Sequence, residues 1–360
     1  MSKRPGIVLW SRARLFRNLK GHSFISSDKS DQCVCGLDGL RPKQERKSIL
    51  KEIESAVGEL SDKKKMKLVK LSSISDCKSI ELYEKGALSG YHKKMVNDDS
   101  RGIITGAGGV VYAMVNERHH LVLQALRPGF QLERVWTEVD QLDDLFGSCL
   151  KYAWSKKFGY LMPNSECCGA GLDVTINVHL PGLILMGEMQ EVVSAFSAVG
   201  LRLDAEISHD VFIDGFGQLL RISNNMSVPD SEEVFLRKIE SAVSGLVLQE
   251  VQAGLRALKD DRTRDMLYNK VVCSLAVLKN ALIMERAQSH EEISWLRAGI
   301  AMRLVDGMTL VQLDRLHKDI WSSNFLRSFN GSFEEAVQYV GTARAAVLRE
   351  RLKEVKVNFM

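Results

Sequence analysis

A clean alternation of apolar and polar positions runs from Leu172 to Leu180. Leu172, Val174, Ile176, Val178 and Leu180 alternate with Asp173, Thr175, Asn177 and His179. Side chains repeat every two residues along a strand, so this spacing predicts a strand whose apolar set faces a core and whose polar set faces a cleft or solvent. The preceding loop, Met162 to Gly171, closes on Gly169-Ala-Gly171, where glycines let the backbone turn tightly or approach a ligand. A polar strand face beside such a loop is a candidate phosphate or substrate platform; an ordinary sheet strand after a turn is the plain alternative.

Other patterns fill in the architecture. Residues 6–17 read as an extended segment, 22–43 as a polar loop, and 42–60 as a helix with Ile49, Ile53, Val57 and Leu60 on one stripe. Lys65 to Ser72 reads as a strand. A turn at Gly106 to Gly109 precedes the buried-strand run Val110 to Val115 and a second strand of the pair, reaching Leu126. Leu132, Val135, Val139, Leu142, Leu145 and Phe146 have helical spacing, and Leu183 to Val199 reads as one apolar-faced helix with Met186 and Met189 as packing residues. From Ser227 onward the chain turns helical, with a stripe at Phe235, Ile239, Val243 and Leu246 and a long helix over 266–288. Ser289 to Glu292 and Ser332 to Glu335 have capping-box spacing.

A length of 360 residues gives two domains or one large one. A formal net charge of +4 without a dense basic tract gives no support to nucleic-acid or membrane-surface binding, and Lys63 to Lys65 reads as a solvated turn. The N-terminal residues lack the apolar run of a signal peptide, and no window reaches the roughly 18 apolar residues of a spanning helix. A cytoplasmic location is therefore expected. Seven scattered cysteines argue against a disulfide framework, and Cys33-Val-Cys35 lacks the second pair that a structural zinc needs.

Arg12 and Arg14 stand two apart and share a face of an extended segment, where two guanidinium forks suit multidentate phosphate binding. A surface strand with solvated arginines is the bland reading. The segments SRARLFRNL (11–19), NERHHLVLQAL (116–126), RPGFQLERVWTEVDQLDDLFG (127–147), GYL with its glycine loop and HLP (159–181), and RAAVLRERLK (344–353) together resemble the guanidino (phosphagen) kinase family, in its bacterial protein-arginine kinase branch. The resemblance runs from Gly6 to Lys353. It implies an α+β fold: a glutamine-synthetase-like catalytic domain, with a mostly antiparallel sheet flanked by helices, over 1–225, and an all-α dimerisation or interaction domain over 226–360.

The resemblance also assigns roles, position by position. Arg12 and Arg14 would hold ATP phosphates. The family's further nucleotide arginines fall on Val122, Asp173 and Glu206, its reactive cysteine on Asn164, and a histidine on Gly86. The carboxylate that takes the substrate's proton falls on Arg118, while its companion survives as Glu117. An arginine accepts no proton near neutral pH and repels an incoming guanidinium. On a strand Glu117 points away from residue 118 and reads as a structural or partner carboxylate. Phe212 and its neighbours replace a glycine-rich nucleotide loop, and Val340-Gly341 replace an Arg-Asp pair thought to read phosphoarginine.

Magnitudes turn these departures into an expectation. A charge-assisted hydrogen bond contributes about 1.5–3 kcal/mol, so losing three costs roughly 5–9 kcal/mol, against about −8 kcal/mol for micromolar binding. The expected function is a catalytically inactive relative of protein-arginine kinase, acting as a scaffold or regulator in protein quality control. It would be a homodimer, with a zinc-binding activator protein and a Clp-type chaperone–protease as partners the resemblance implies. Two alternatives stay open: an active kinase using ATP with Mg and a rearranged site around Glu117, Cys167 or Cys168, and a sensor whose pocket binds another ligand.

Overall fold

In the computed structural model, residues 7–22, 42–64, 66–106, 109–162, 168–204, 219–224, 231–327, 329–331 and 333–358 are described. Asn164, Cys167, Glu206, Phe212, the Cys33–Cys35 pair, most of the polar loop and the start of the second capping motif, Ser332, lie outside them. The centre is an eight-stranded sheet, every adjacent pair antiparallel. Its strands are β1 (Val8–Arg17), β2 (Lys67–Lys70), β3 (Gly102–Thr105), β4 (Val111–Val115), β5 (Leu121–Pro128), β8 (Leu172–His179), β9 (Leu201–Asp204) and β10 (Leu219–Asn224), in the order β2-β3-β4-β5-β1-β8-β10-β9. A small hairpin, β6 (Trp154–Ser155) and β7 (Gly159–Tyr160), stands apart from it.

The alternation of β1 sorts the two faces of the sheet. Ser11, Ala13, Leu15 and Arg17 are buried on the side covered by α1 (Lys43–Lys64) and α4 (Leu132–Gly147). Leu172, Val174, Ile176, Val178 and Leu180 join the same core with Ile49, Ile53, Val135, Val139 and Phe146. Arg17 fastens this layer: its guanidinium meets Asp143 of α4 at 2.6 Å, lies 3.5 Å from the Tyr160 ring centroid, and donates to the Ala170 carbonyl at 3.0 Å. One buried cation therefore ties the central strand, a helix, the hairpin and the glycine loop together.

The opposite face of β8, for which the alternation left a cleft or solvent open, is covered toward its C-terminal end. Thr175, Asn177 and His179 are buried, and His179 Nε2 lies 3.0 Å from Ser294 Oγ on α9 (Arg286–Ala301). The C-terminal helices cover that end of the sheet, and Lys318 of α10 (Leu310–Asp319) stands over the Trp10 ring at 5.6 Å. A second tie uses α2 (Asp76–Glu84), where Glu84 accepts from the Ser322 and Ser323 amides at the start of α11 (Ser322–Leu326) at 2.8 and 3.0 Å.

The first core continues beyond the sheet into α7 (Glu232–Lys259) through Phe235, Ile239, Val243, Leu246 and Ala253. A second core spans Leu267 to Val355, built by α8 (Asp261–Asn280), α9, α10 and α12 (Phe333–Arg351). Three helix expectations need correction. The 183–199 segment is two helices, α5 (Pro181–Leu185) and α6 (Met189–Ala198), because Gly187 at φ 72° ends the first with a Gly187 N–H to Ile184 carbonyl bond at 3.1 Å. The 266–288 helix stops at Asn280, since Met284 is fully buried, donates to the Gly341 carbonyl and accepts from Arg344. The next helix therefore starts at Arg286, and Ser289 is a buried interior residue, not a cap. The strand expected at 65–72 is shortened to Lys67–Lys70, followed by a single 3₁₀ turn.

Removing Arg17 leaves Asp143 buried without its cation. Arg17→Met should cost about 3–5 kcal/mol in urea denaturation, and Arg17→Met with Asp143→Leu should recover most of it. A single-variant loss under about 1 kcal/mol would show that this tie is dispensable.

Candidate functional site

The site grows from three neighbouring strands on the face opposite the core helices. In register, Arg14 of β1 lies between Gln124 of β5 and Asp173 of β8; one pair further, Arg12 lies opposite Thr175, and Phe16 opposite Val122. Directly opposed residues share a face, so Arg12, Arg14, Phe16, Val122, Gln124, Asp173 and Thr175 line one surface. The two arginines share a face, as their spacing predicted.

They are not solvated. Arg14 Nε and Nη2 both meet Asp173 Oδ2 at 2.7 Å, with only 12% and 18% of the two side chains exposed. Arg12 is buried and reaches Thr175 Oγ1 at 3.3 Å. Burial opposes the charge on Asp173, but Arg14, Arg12 and Arg221 of β10 outweigh it and hold the carboxyl below its ordinary range. Three guanidiniums thus surround one carboxylate supplied by the chain itself. Val122, at another position the resemblance gives to an arginine, is 1% exposed and contributes only apolar surface.

Glu117 and Arg118 lie in the 116–120 turn between β4 and β5, not on a strand. Asn116 enters that turn at φ 56°, a left-handed conformation that asparagine tolerates, and its Nδ2 is held by the Arg46 and Ser100 carbonyls. Glu117 is buried; its carboxylate accepts from Ser89 Oγ at 2.8 Å and from the Arg118 amide at 2.5 Å. Burial pushes its pKa up, yet His92, Ser89 and Arg118 pull it below the ordinary value. Arg118 is exposed. The turn reaches the arginine face through His119, whose ring stacks on Phe16 with centroids 4.6 Å apart, and Phe16 in turn lies 5.7 Å from the Arg14 guanidinium carbon.

Several residues kept in the resemblance serve the frame. His120 Nδ1 accepts from the Leu19 amide, and Asn18 Oδ1 accepts from the His120 amide. Asn224 brackets β8, accepting from Val174 N–H and donating to the Leu172 carbonyl. Gln124 Nε2 donates to the Gly86 and Ala87 carbonyls, both at 3.0 Å, which brings that loop to the site. Gly86 ends α2 at φ 69°, with the Ala87 amide bonded back to the Leu82 carbonyl, a C-terminal turn that favours glycine over a histidine.

Thr175 stands on the polar face that the alternation marked as a candidate platform. Sequence reasoning missed Phe16, His119 and Arg221, which become visible only once β1, β5, β8 and β10 are in register. Cys168 is half-buried beside Met162, whose amide lies 3.2 Å from its sulfur. Among the described residues no group of three or more His, Cys, Asp or Glu side chains is placed to hold a metal ion, and no helix is long and apolar enough to cross a membrane. A cavity of about 300 Å³ lies on the α4 side, beside the Arg127–Glu138 ion pair, away from the arginine face.

Comparison with known proteins matches this geometry to one family. Residues 48–253 fit the ATP:guanido phosphotransferase C-terminal catalytic domain, and residues 264–359 the protein-arginine kinase McsB C-terminal domain. The chain is 30% identical over 315 residues to a protein-arginine kinase of Pelotomaculum thermopropionicum, covering 86% of this chain and 83% of that one. It is 25% identical over 350 residues to one from Clostridium tetani, covering 96% and 95%. The fold is similar to that of the duplicated taurocyamine kinase of Schistosoma mansoni at a TM-score of 0.55 and 17% identity, over 69% of this chain and 33% of that longer one.

The Asp173 carboxylate carries a depressed pKa, so its contribution is present above the unfolded value of 3.8 and is lost as pH falls through the folded one. Asp173→Asn should therefore lower stability at pH 7 by about 1–3 kcal/mol. Urea titrations at decreasing pH should show that difference shrinking once pH drops below 3.8. A difference independent of pH would remove the charge from the explanation.

Proposed function

The chain belongs to the ATP:guanido phosphotransferase family, in its protein-arginine kinase branch, and we propose that within it this protein is a non-catalytic binding member, a scaffold or regulator in protein quality control. The observation carrying this reading is the Arg14–Asp173 ion pair, at 2.7 Å, in the middle of the arginine face. A triphosphate placed on Arg12 and Arg14 must displace the carboxylate from its guanidinium and then remain beside it. Two like charges about 4 Å apart repel by about 4 kcal/mol at an effective dielectric of about 20. The residues present do not fit the triphosphate in the family's manner.

The substrate side supports the same reading. Attack by a guanidinium nitrogen requires a group that removes its proton and pairs with its charge. Arg118 does neither, and Glu117 is already engaged by Ser89 and the backbone of its own turn. What the fold retains is a rigid frame and a helical C-terminal region. Our reading gives that region the homodimer contact, with a zinc-binding activator protein and a Clp-type chaperone–protease as partners.

A second reading, an active protein-arginine kinase with ATP and Mg as cofactors, is favoured by the retained Arg12, Arg14 and Glu117 and by relatives that carry the kinase name. Incubation with Mg-ATP and an arginine-rich protein, read by ³¹P NMR for phosphoarginine, separates the two. We expect no signal above the protein-free control. Turnover near the 1–100 s⁻¹ usual for kinases, or any sustained fraction of it, would establish the second reading.

A further inference from the structure

Between α4 and the glycine loop, the β6–β7 hairpin projects side chains for which the fold itself has no use. Its tip is a turn from Ser155 to Phe158, closed by the Phe158 amide donating to the Ser155 carbonyl at 3.2 Å, with Gly159 behind it at φ 70°. A turn followed by a left-handed residue is a standard way to close a short hairpin. A Cβ at Gly159 would sit 2.6 Å from the Gly169 carbonyl oxygen, so this position admits only glycine. The base is bolted down: Tyr160 N–H donates to the Gly169 carbonyl at 2.8 Å, Leu161 N–H to the Ala153 carbonyl at 2.9 Å, and Tyr160 lies against Arg17.

On this anchored hairpin Trp154 is 59% exposed and Phe158 53% exposed. Lys151, Lys156 and Lys157, each within three residues of one of them in sequence, are exposed, and the Lys157 ammonium stands 5.0 Å from the Phe158 ring centroid. None of these lysines forms a salt bridge among the described residues, and the chain from Gly147 to Ser165 contains no Asp or Glu. Asp143 and Glu232 bear on Tyr160 at the base. Large aromatics exposed on an anchored hairpin, with neighbouring charges of one sign, are the features of a binding surface.

We propose that this hairpin docks an acidic segment of a partner protein, which sets an apolar or aromatic side chain against Trp154 and Phe158 and aligns carboxylates with Lys151, Lys156 and Lys157. The charge is complementary to such a segment, and the aromatics supply the anchor area that most interfaces depend on. A nucleic acid fits less well, because three lysines make no continuous cationic track along a phosphate backbone. The inference rests on the binding role proposed above and gives it a location. Through the Tyr160–Gly169 bridge, the docked partner would lie one loop away from Asp173.

The test uses the full chain and fluorescence anisotropy with three labelled probes: a peptide alternating Glu with Leu and Phe, the same peptide with Lys for Glu, and an oligodeoxythymidine. The acidic peptide should bind with salt-sensitive affinity. Lys156→Glu with Lys157→Glu, and separately Trp154→Ala with Phe158→Ala, should each weaken binding by about tenfold or more. These side chains are exposed, so an unchanged urea midpoint is expected and guards against misfolding. No binding of the acidic peptide, or binding unaltered by both double variants, would overturn the proposal. Equal binding of the oligodeoxythymidine, lost in the same variants, would overturn it in favour of nucleic acid. Phosphoarginine formation would refute the non-catalytic reading while leaving the anisotropy result standing, so the two failures are distinguishable.

Discussion

The site is governed by one cross-strand ion pair. Arg14 and Asp173 face each other across β1 and β8, adjacent strands at the middle of the sheet, and each neutralises the other in a place mostly closed to water. A buried guanidinium needs a counter-charge. Here the chain itself provides it, so the arginine pair keeps its geometry without a bound anion. Where the resemblance places a nucleotide arginine, this chain has a carboxylate, and in our reading it sets a negative charge where an incoming phosphate would be felt.

The frame around that pair is independent of it. Arg17, three residues along the same strand, points to the other layer and binds Asp143, Tyr160 and the Ala170 carbonyl. His120, Asn18, Asn224 and Gln124 hold the turn, the end of β1, the β8–β10 pairing and the Gly86 loop. These ties fix the architecture through side chains other than the Arg14–Asp173 pair. They also anchor the hairpin carrying Trp154 and Phe158, whose base shares the Arg17 contact.

Much of the architecture was legible because periodicity reports burial directly. The stripe Val135, Val139, Leu142 and Phe146 and the alternation Leu172 to Leu180 are both in the core. Alternation marked the polar half of the latter as a second face but not what covers it; α9, more than a hundred residues away, supplies Ser294 to His179. Glu117 and Arg118 were read as strand because nothing in Asn-Glu-Arg-His-His announces a turn, and the left-handed Asn116 is stabilised by distant carbonyls. Ser289 has capping spacing, but burial of Met284 starts the helix earlier. At the site, two-residue spacing was enough to pair Arg12 with Arg14. That Asp173 is their counter-ion, and that Arg221 and His119 join them, depends on strand register, which local sequence does not encode.

The central claim is that Asp173 occupies, electrostatically, the place of a phosphate. Calorimetric titration of Mg-ADP and Mg-ATP into the parent protein and Asp173→Asn, side by side at the same ionic strength, tests it most directly. The account predicts no binding heat from the parent at millimolar nucleotide and a measurable, salt-sensitive heat from the variant. Micromolar binding by the parent, unchanged in the variant, would contradict it.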